Sequence, residues 1–360
     1  MLEPRQHPMS LALSEPRAGP LLQVNDISVT FHANGLFRRS RPVRAVAGVS
    51  LDVRRGETVA LVGESGSGKT TTGRAILRLV PLSGGSIEFD GHDLAAARRR
   101  DLPMIRRKVQ MVFQDPYASL NPRLTVEQLV REPLDIHGIG SKSVRQERVA
   151  TTLEQVGIEW RDRGRRPRHF SGGQRQRIAI ARAIALDPQL IVADEPISAL
   201  DVSIQAQILS LLEQLQRDRG IAYLLIAHDL AVVRHVSKRV AVMYLGKIVE
   251  EGPTHEVFTS ARHPYTTALL SAAPVPDPDV EATRRRIILR GDVPSPANPP
   301  SGCRFHTRCW LSESLGNPER CRTEEPSLEA ATEGASGHRV ACHFSEATSS
   351  GATPNAHLAP

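Results

Sequence analysis

Apolar positions along the chain gather in strand-length bursts separated by polar, turn-forming residues. "LLQVNDISVTF" (21–31), "RAVAGVSLDV" (44–53) and "ETVALVG" (57–63) come first, with a basic connector, "HANGLFRRSRP" (32–42), between the first two. "SIEFDG" (86–91) and "VQMVFQ" (109–114) read as further strands. Residues 116–170 change character: strand signals fade, prolines enter, and helical stretches lie near 124–136 and 143–157. They read as a helical insertion. Strand signals return in "QLIVAD" (189–194), "AYLLIAH" (222–228) and "RVAVMYLGKIV" (239–249), with helical patterns between them. Strands alternating with helices predict an α/β core around a largely parallel sheet. From about residue 274 the chain becomes Pro-rich and irregular, and its four cysteines all lie beyond residue 300. That marks a separate appendage.

Length and composition bound the alternatives. A chain of 360 residues has room for two or three domains and a sizeable core. Aromatic residues make up only 4%, which argues against a base-stacking nucleic-acid platform. The net charge of +7 sits largely in runs: "ARRR" (97–100), "RRK" (106–108), "RDRGRRPR" (161–168) and "RRR" (284–286). Solvated helix faces and loops account for such runs; an anionic membrane surface or nucleic acid is the sharper alternative. No apolar run has the length of a transmembrane helix. The first twenty residues lack a signal peptide's apolar core, and both they and the tail at 345–360 read as disordered. The expected location is therefore cytoplasmic, with any membrane work done through partners.

The candidate chemistry begins at "VGESGSGKTT" (62–71). Gly63, four residues, then Gly68, Lys69 and Thr70 fit the G-x4-G-K-[ST] phosphate loop in full, after a strand and before a helix-forming "TTTGRAILRLV". Backbone N–H groups of Gly63, Glu64, Ser65, Gly66, Ser67 and Gly68 would wrap a triphosphate, with glycines where side chains would clash. Helix N–H groups and the dipole from Lys69 through Thr71 favour the same anion. Lys69 would meet the β- and γ-phosphates, and Thr70 would give Mg²⁺ a hard oxygen ligand. "LIVADEP" (190–196) is a buried strand ending in two acids. Paired with the loop, Asp194 is expected to hold Mg²⁺ and Glu195 to act as general base on the attacking water. "FSGGQRQRIAIARAIALDP" (170–188) places Ser171 as a helix cap, with Gly172, Gly173 and Gln174 leaving N–H groups bare just before that acidic strand.

At this point the chain closely resembles the ATP-binding subunits of ABC transporters. "GESGSGKT" matches Walker A, Gln114 the Q-loop glutamine, "FSGGQ" the signature, "LIVADE" Walker B, "SALD" (198–201) the D-loop ending at Asp201, and His228 the H-loop histidine. Phe170 stands where Leu is commonest. The resemblance narrows further. "VFQDPYASLNPR" (112–123), "GLFRR" (35–39), "HPYTTALL" (263–270) and "GCRFHTRC" (302–309) look like oligopeptide/dipeptide importer ATPases. It implies a P-loop NTPase cassette with an antiparallel β-subdomain, a helical insertion and a small irregular Cys-containing appendage. It also implies ATP and Mg²⁺ bound between two such subunits, the Walker A of one facing the signature of the other. Phe31 falls where the family has an aromatic residue on adenine. Gln114 would join Thr70 and Asp194 at Mg²⁺ or meet the attacking water, and Gln114 and His228 would serve catalysis with Glu195. The implied partners are a second ATP-binding subunit, two membrane permeases and, indirectly, an extracytoplasmic peptide-binding protein, at the cytoplasmic face of the membrane. Some relatives carry nickel or other small solutes.

A soluble ABC ATPase acting on nucleic acid is the competing reading. One P-loop, one signature, no coiled-coil arm and cysteines placed after the cassette count against it. The expected organisation is a disordered arm at 1–20, an ATP-binding domain at 21–272 with the insertion at about 116–170, a four-cysteine region at 273–344, and a disordered tail at 345–360. Cys303, Cys309, Cys321 and Cys342 have too few large apolar neighbours for an independent core, so a metal staple is expected. Four thiolates suit Zn²⁺ or an iron–sulfur cluster. The spacing does not match common zinc ribbons, and the resemblance favours [4Fe–4S]. His306, His338 and His343 are substitute ligands. Nothing in the sequence links this region to the ATP site.

Overall fold

Both faces of a parallel sheet are covered by crossovers, so its strands must be apolar on both sides. Strands β3 (Thr58–Val62), β6 (Val109–Val112), β7 (Leu190–Asp194), β8 (Ala222–Ala227) and β9 (Arg239–Tyr244) meet that requirement. In the computed structural model they lie side by side in the order β9-β3-β8-β7-β6, all parallel. Ala60, Val62, Val240 and Val242 enter one core cluster, whereas Val59, Leu61, Ala241 and Met243 enter the other. Residues 19–32, 41–94, 96–97, 100–273, 286–331 and 337–349 are described. The arm at 1–18, "GLFRR" in the connector, Arg98, Arg99, Arg284, Arg285 and the tail from 350 lie outside them.

The first core cluster joins this sheet to the helical insertion. Helices α3 (Pro116–Ser119), α4 (Val126–Ile136) and α5 (Lys142–Gln155) form there and pack on α6 (Gly172–Ile184). Thr125 and Gln128 close a capping box at the start of α4. The second cluster joins the sheet to an antiparallel one, ordered β2-β1-β4-β5, with β1 at Leu22–Phe31, β2 at Val43–Val53, β4 at Gly84–Phe89 and β5 at His92–Asp93. Helix α1 (Lys69–Ile76) places Ala75 and Ile76 in it.

Three expectations need correction. "RVAVMYLGKIV" is not one strand: Leu245 (φ 42°) and Gly246 (φ 82°) make a two-residue turn, and β10 (Lys247–Pro253) returns antiparallel to β9. Two consecutive positive φ values suit that tight hairpin, which a continuous apolar run conceals. The region after 274 is not separate either. β12 (Arg339–Val340) adds to β10, and β11 (Glu329–Ala330) adds to β12, so the C-terminal region extends the main sheet. Ser345–Ser349, at the start of the expected disordered tail, is a short helix.

Candidate functional site

The C-terminal ends of adjacent parallel strands bring distant motifs to one rim. β3 runs into the phosphate loop, β8 ends just before His228, β7 ends at Asp194 and Glu195, and β6 ends just before Gln114. At the loop, Gly63 (φ 151°) and Gly68 (φ 107°) hold conformations that side chains disfavour, and a Cβ on either would strike a backbone carbonyl, Met243 or Ala45. These two glycines are therefore required by the protein's own packing. Gly66 (φ 79°) faces open space. Ser65 and Gly66 are exposed, Thr71 is half-buried, and the buried Ser67 hydroxyl has no partner. Lys69 is buried, and its Nζ donates to Gly63 O at 2.7 Å and Glu64 O at 2.9 Å. Burial lowers its pKa, opposed by the nearby carboxylates of Glu195, Asp194 and Glu64.

Thr70 Oγ1 donates to Asp194 Oδ1 at 2.8 Å. Asp194 is buried, which raises its pKa. A hydroxyl and a carboxylate oxygen thus converge, and among the described residues no ion pair ties up Asp194, although Arg74 and Lys69 lie near enough to oppose the rise in its pKa, an arrangement suited to Mg²⁺. Glu195 has φ 45°, a conformation uncommon for a non-glycine residue, and its N–H donates to Ile226 O at 2.9 Å. Its Oε2 accepts from Gln114 Nε2 at 2.9 Å and lies 3.2 Å from His228 Nδ1. Glu195, Gln114 and His228 therefore form one polar cluster.

The signature residues form a different unit. Ser171 Oγ accepts from Gln174 N–H, and Gln174 Oε1 accepts from Ser171 N–H, closing a capping box on α6. A Cβ on Gly173 would run into Ile204 of α7 (Val202–Arg219), and Gly172 lies against Leu200. Asp201 caps α7 with its carbonyl and leaves its side chain exposed. Among the described residues no hydrogen bond or ion pair joins Ser171–Gln174 to the chain's own phosphate loop. Phe31 ends β1 with 44% of its surface exposed, away from both core clusters.

Cys321 is buried and Cys303, Cys309 and Cys342 are half-buried, and desolvation favours the thiol at each: it pushes Cys303 up to about 11, Cys309 and Cys342 up to about 12, and Cys321 upward. Among the described residues no group of three or more His, Cys, Asp or Glu is placed to hold a metal ion. The expected iron–sulfur or zinc centre is thus without support. The substitute histidines have other partners. His306 Nδ1 lies 2.8 Å from Cys303 O, His343 Nε2 lies 3.0 Å from Glu324 O, and His338 Nε2 lies 2.8 Å from the buried Glu250. The region is held by docking on the cassette. Phe305 is buried and meets Tyr244 at 5.2 Å and Tyr265 at 5.4 Å between ring centroids. Arg304 donates to Leu245 O, and Arg339 pairs with Glu251.

Sequence reasoning missed the link between this region and the phosphate loop. Tyr265, in α10 (Pro264–Ala272), accepts the Glu64 N–H at 2.8 Å, and Arg308 pairs with the Glu64 carboxylate at 2.9 Å. "HPYTTALL" and "GCRFHTRC" drew attention to these residues, but nothing in either stretch names its partner.

Comparison with known proteins bears on this geometry. A model of the ABC transporter family matches residues 46–198, and one of the oligopeptide/dipeptide transporter C-terminal region matches residues 249–314. The oligopeptide transport ATP-binding protein AppF of Bacillus subtilis is 48% identical over 327 residues, covering 90% of this chain and 97% of that protein. A putative oligopeptide transport ATP-binding protein, YkfD, of the same organism is 49% identical over 326 residues, covering 90% of this chain and 95% of that protein. A dimeric post-hydrolysis structure of the ATP-binding cassette MJ0796, bound to ADP and Pi, is 31% identical with a TM-score of 0.58, covering 65% of this chain and 98% of that one.

Proposed function

The chain belongs to the ABC transporter family of ATP-binding subunits, in its oligopeptide/dipeptide branch, and on that premise we propose that it hydrolyses ATP to power peptide import. The observation that carries the reading is the meeting of Gln114, Glu195 and His228 next to Lys69 and the Thr70–Asp194 pair. Lys69 and the loop amides bind the phosphates. Thr70, Asp194 and Gln114 are the residues that would hold Mg²⁺, which screens phosphate charge when bound. Glu195 takes a proton from water as the water oxygen bonds to the γ-phosphorus. The bond from that phosphorus to the β–γ bridging oxygen breaks, and ADP leaves. Gln114 and His228 orient the Glu195 carboxylate. Phe31 offers an apolar face to adenine.

Among the described residues Ser171 through Gln174 make no hydrogen bond or ion pair with the chain's own loop, which favours a site completed by the signature of a second ATP-binding subunit. The membrane-facing surface proposed is the start of the insertion. The chain passes from Gln114 into a cleft of about 260 Å³ lined by Leu79, Phe113, Leu120, Pro133 and Ile136, with Ile136 74% exposed. No helix among the described residues is long and apolar enough to cross a membrane, so the working arrangement proposed is peripheral, at the cytoplasmic face, on two permease subunits fed by an extracytoplasmic peptide-binding protein.

The test is ATP-dependent uptake of labelled peptides by the chain co-purified and reconstituted with its permeases. Ser171→Arg should abolish uptake and hydrolysis while monomeric nucleotide binding survives. Loss of monomer binding as severe as that of Lys69→Ala would sink the two-subunit site, and uptake indifferent to ATP would sink the function.

A further inference from the structure

Glu64 is an acidic residue in a loop whose task is to hold a polyanion. Left bare, its carboxylate would repel the phosphates. Its setting explains how it is tolerated. Arg308 Nη1 donates to Glu64 Oε2 at 2.9 Å, and Nη2 donates to Oε1 at 3.4 Å, the forked pairing that a guanidinium offers a carboxylate. The Arg308 side chain is only 8% exposed, against 27% for Glu64. Arg308 Nε is buried without a partner, and among the described residues Glu64 is the acid that pairs with this cation. Nη1 also lies 3.5 Å from the Tyr244 hydroxyl.

The backbone of Glu64 is held as well. Its N–H donates to Tyr265 Oη at 2.8 Å, and its carbonyl accepts from Lys69 Nζ at 2.9 Å. Tyr265 cannot drift, because it is fully buried and its ring meets Tyr244 at 4.7 Å and Phe305 at 5.4 Å. On the other side of the loop, Gly246 N–H donates to Ser67 O at 2.8 Å. The phosphate loop is thus set between the β9–β10 hairpin and two residues that fall in the C-terminal transporter region.

We propose that Arg308 and Tyr265 are positioning residues for nucleotide: Tyr265 fixes the first turn of the loop, and Arg308 neutralises Glu64 so that a triphosphate can dock beside it. The C-terminal region thereby sets the affinity for MgATP. This deepens the proposed function and rests on ATP binding at this loop. Neither residue touches Gln114, Glu195 or His228, so the effect falls on KM and leaves kcat nearly constant.

The test is a binding series on the full chain with ATP, ADP and AMP, read beside steady-state hydrolysis. Arg308→Ala should weaken MgATP binding about tenfold, ADP less and AMP little, because the repulsion grows with phosphate charge. Added salt should soften the defect. Glu64→Gln alone should tighten MgATP binding severalfold, and Arg308→Ala with Glu64→Gln should recover most of the loss. Equal weakening for all three nucleotides, no recovery in the double variant, or wild-type affinity in Arg308→Ala would each overturn the proposal. If Arg308→Ala does not fold, Glu64→Gln decides alone: weaker MgATP binding would reject the neutralising role. Failure of the wild-type chain to bind MgATP would reject the functional reading instead.

Discussion

The phosphate loop and the C-terminal region meet at Glu64, yet they are built by opposite means. The loop is backbone work: glycines against carbonyls and one buried lysine on two of its carbonyl oxygens. The C-terminal region is side-chain work: Phe305 among tyrosines, Arg308 on Glu64, and His338 on Glu250. Backbone work is written in consecutive residues and shows as a motif. Side-chain work is written in pairs 201 and 244 residues apart, as between Glu64 and Tyr265 or Arg308, and no window of sequence displays it.

Chemistry on the loop side should break without disturbing the fold. Glu195→Gln should lower turnover by roughly 100-fold or more while nucleotide still binds. Hydrolysis above about a tenth of the wild-type rate would assign the base elsewhere. On the other side, Phe305→Ala should cost about 3–5 kcal/mol, the usual loss for a buried aromatic. Thermal unfolding should stay a single transition at a lower temperature, since the C-terminal strands share the main sheet. A second, independent transition would restore a separate appendage.

Acid should strain the same junction. His263 is fully buried, and burial pushes its pKa down to about 4. Its Nδ1 accepts the Tyr265 N–H at 3.1 Å, which needs an unprotonated nitrogen. A depressed pKa means stability that is complete above the unfolded value of 6.5 and drains as pH falls towards 4, about 3 kcal/mol in all. His263→Asn keeps a capping acceptor without titrating, so its stability should vary less between those limits. An unchanged acid slope would exclude His263. The smallest effect should come from Tyr265→Phe, which deletes the acceptor of the Glu64 N–H. It should cost about 1 kcal/mol and raise the KM for ATP severalfold.

The strands around Val59, Leu190 and Leu224 were legible because each is apolar on both faces. Lys69, Thr70, Asp194 and Glu195 were legible because spacing and chemistry coincide. The hairpin at Leu245 and Gly246 was not, since an apolar residue at positive φ gives no turn signal. The cysteines suggested a metal for a physical reason. "VPSPANPPSGCRF" has too few large side chains to fold alone, and a metal looked necessary. The missing core is supplied by Tyr244 and Tyr265, residues that precede it in the chain. The nucleotide rim itself depended on strand order, which sets Gln114 beside Glu195 across 81 residues.

The pairing of β12 with β10 also has a consequence for biosynthesis. β10 is seven residues long and would otherwise be an open sheet edge, a template on which another chain can add a strand. Arg339–Val340 closes it, Ala341 N–H donates to Val249 O at 2.8 Å, and only the two-residue β11 is left outside. A ribosome delivers residues 339–341 long after β9 and β10 are complete. Until then the nascent cassette carries its sticky edge uncovered, and a chain terminated after α10 would keep it for good. Such a truncation should remain capable of forming the nucleotide rim and yet accumulate as aggregates, so the last strand serves as the molecule's own guard against self-association.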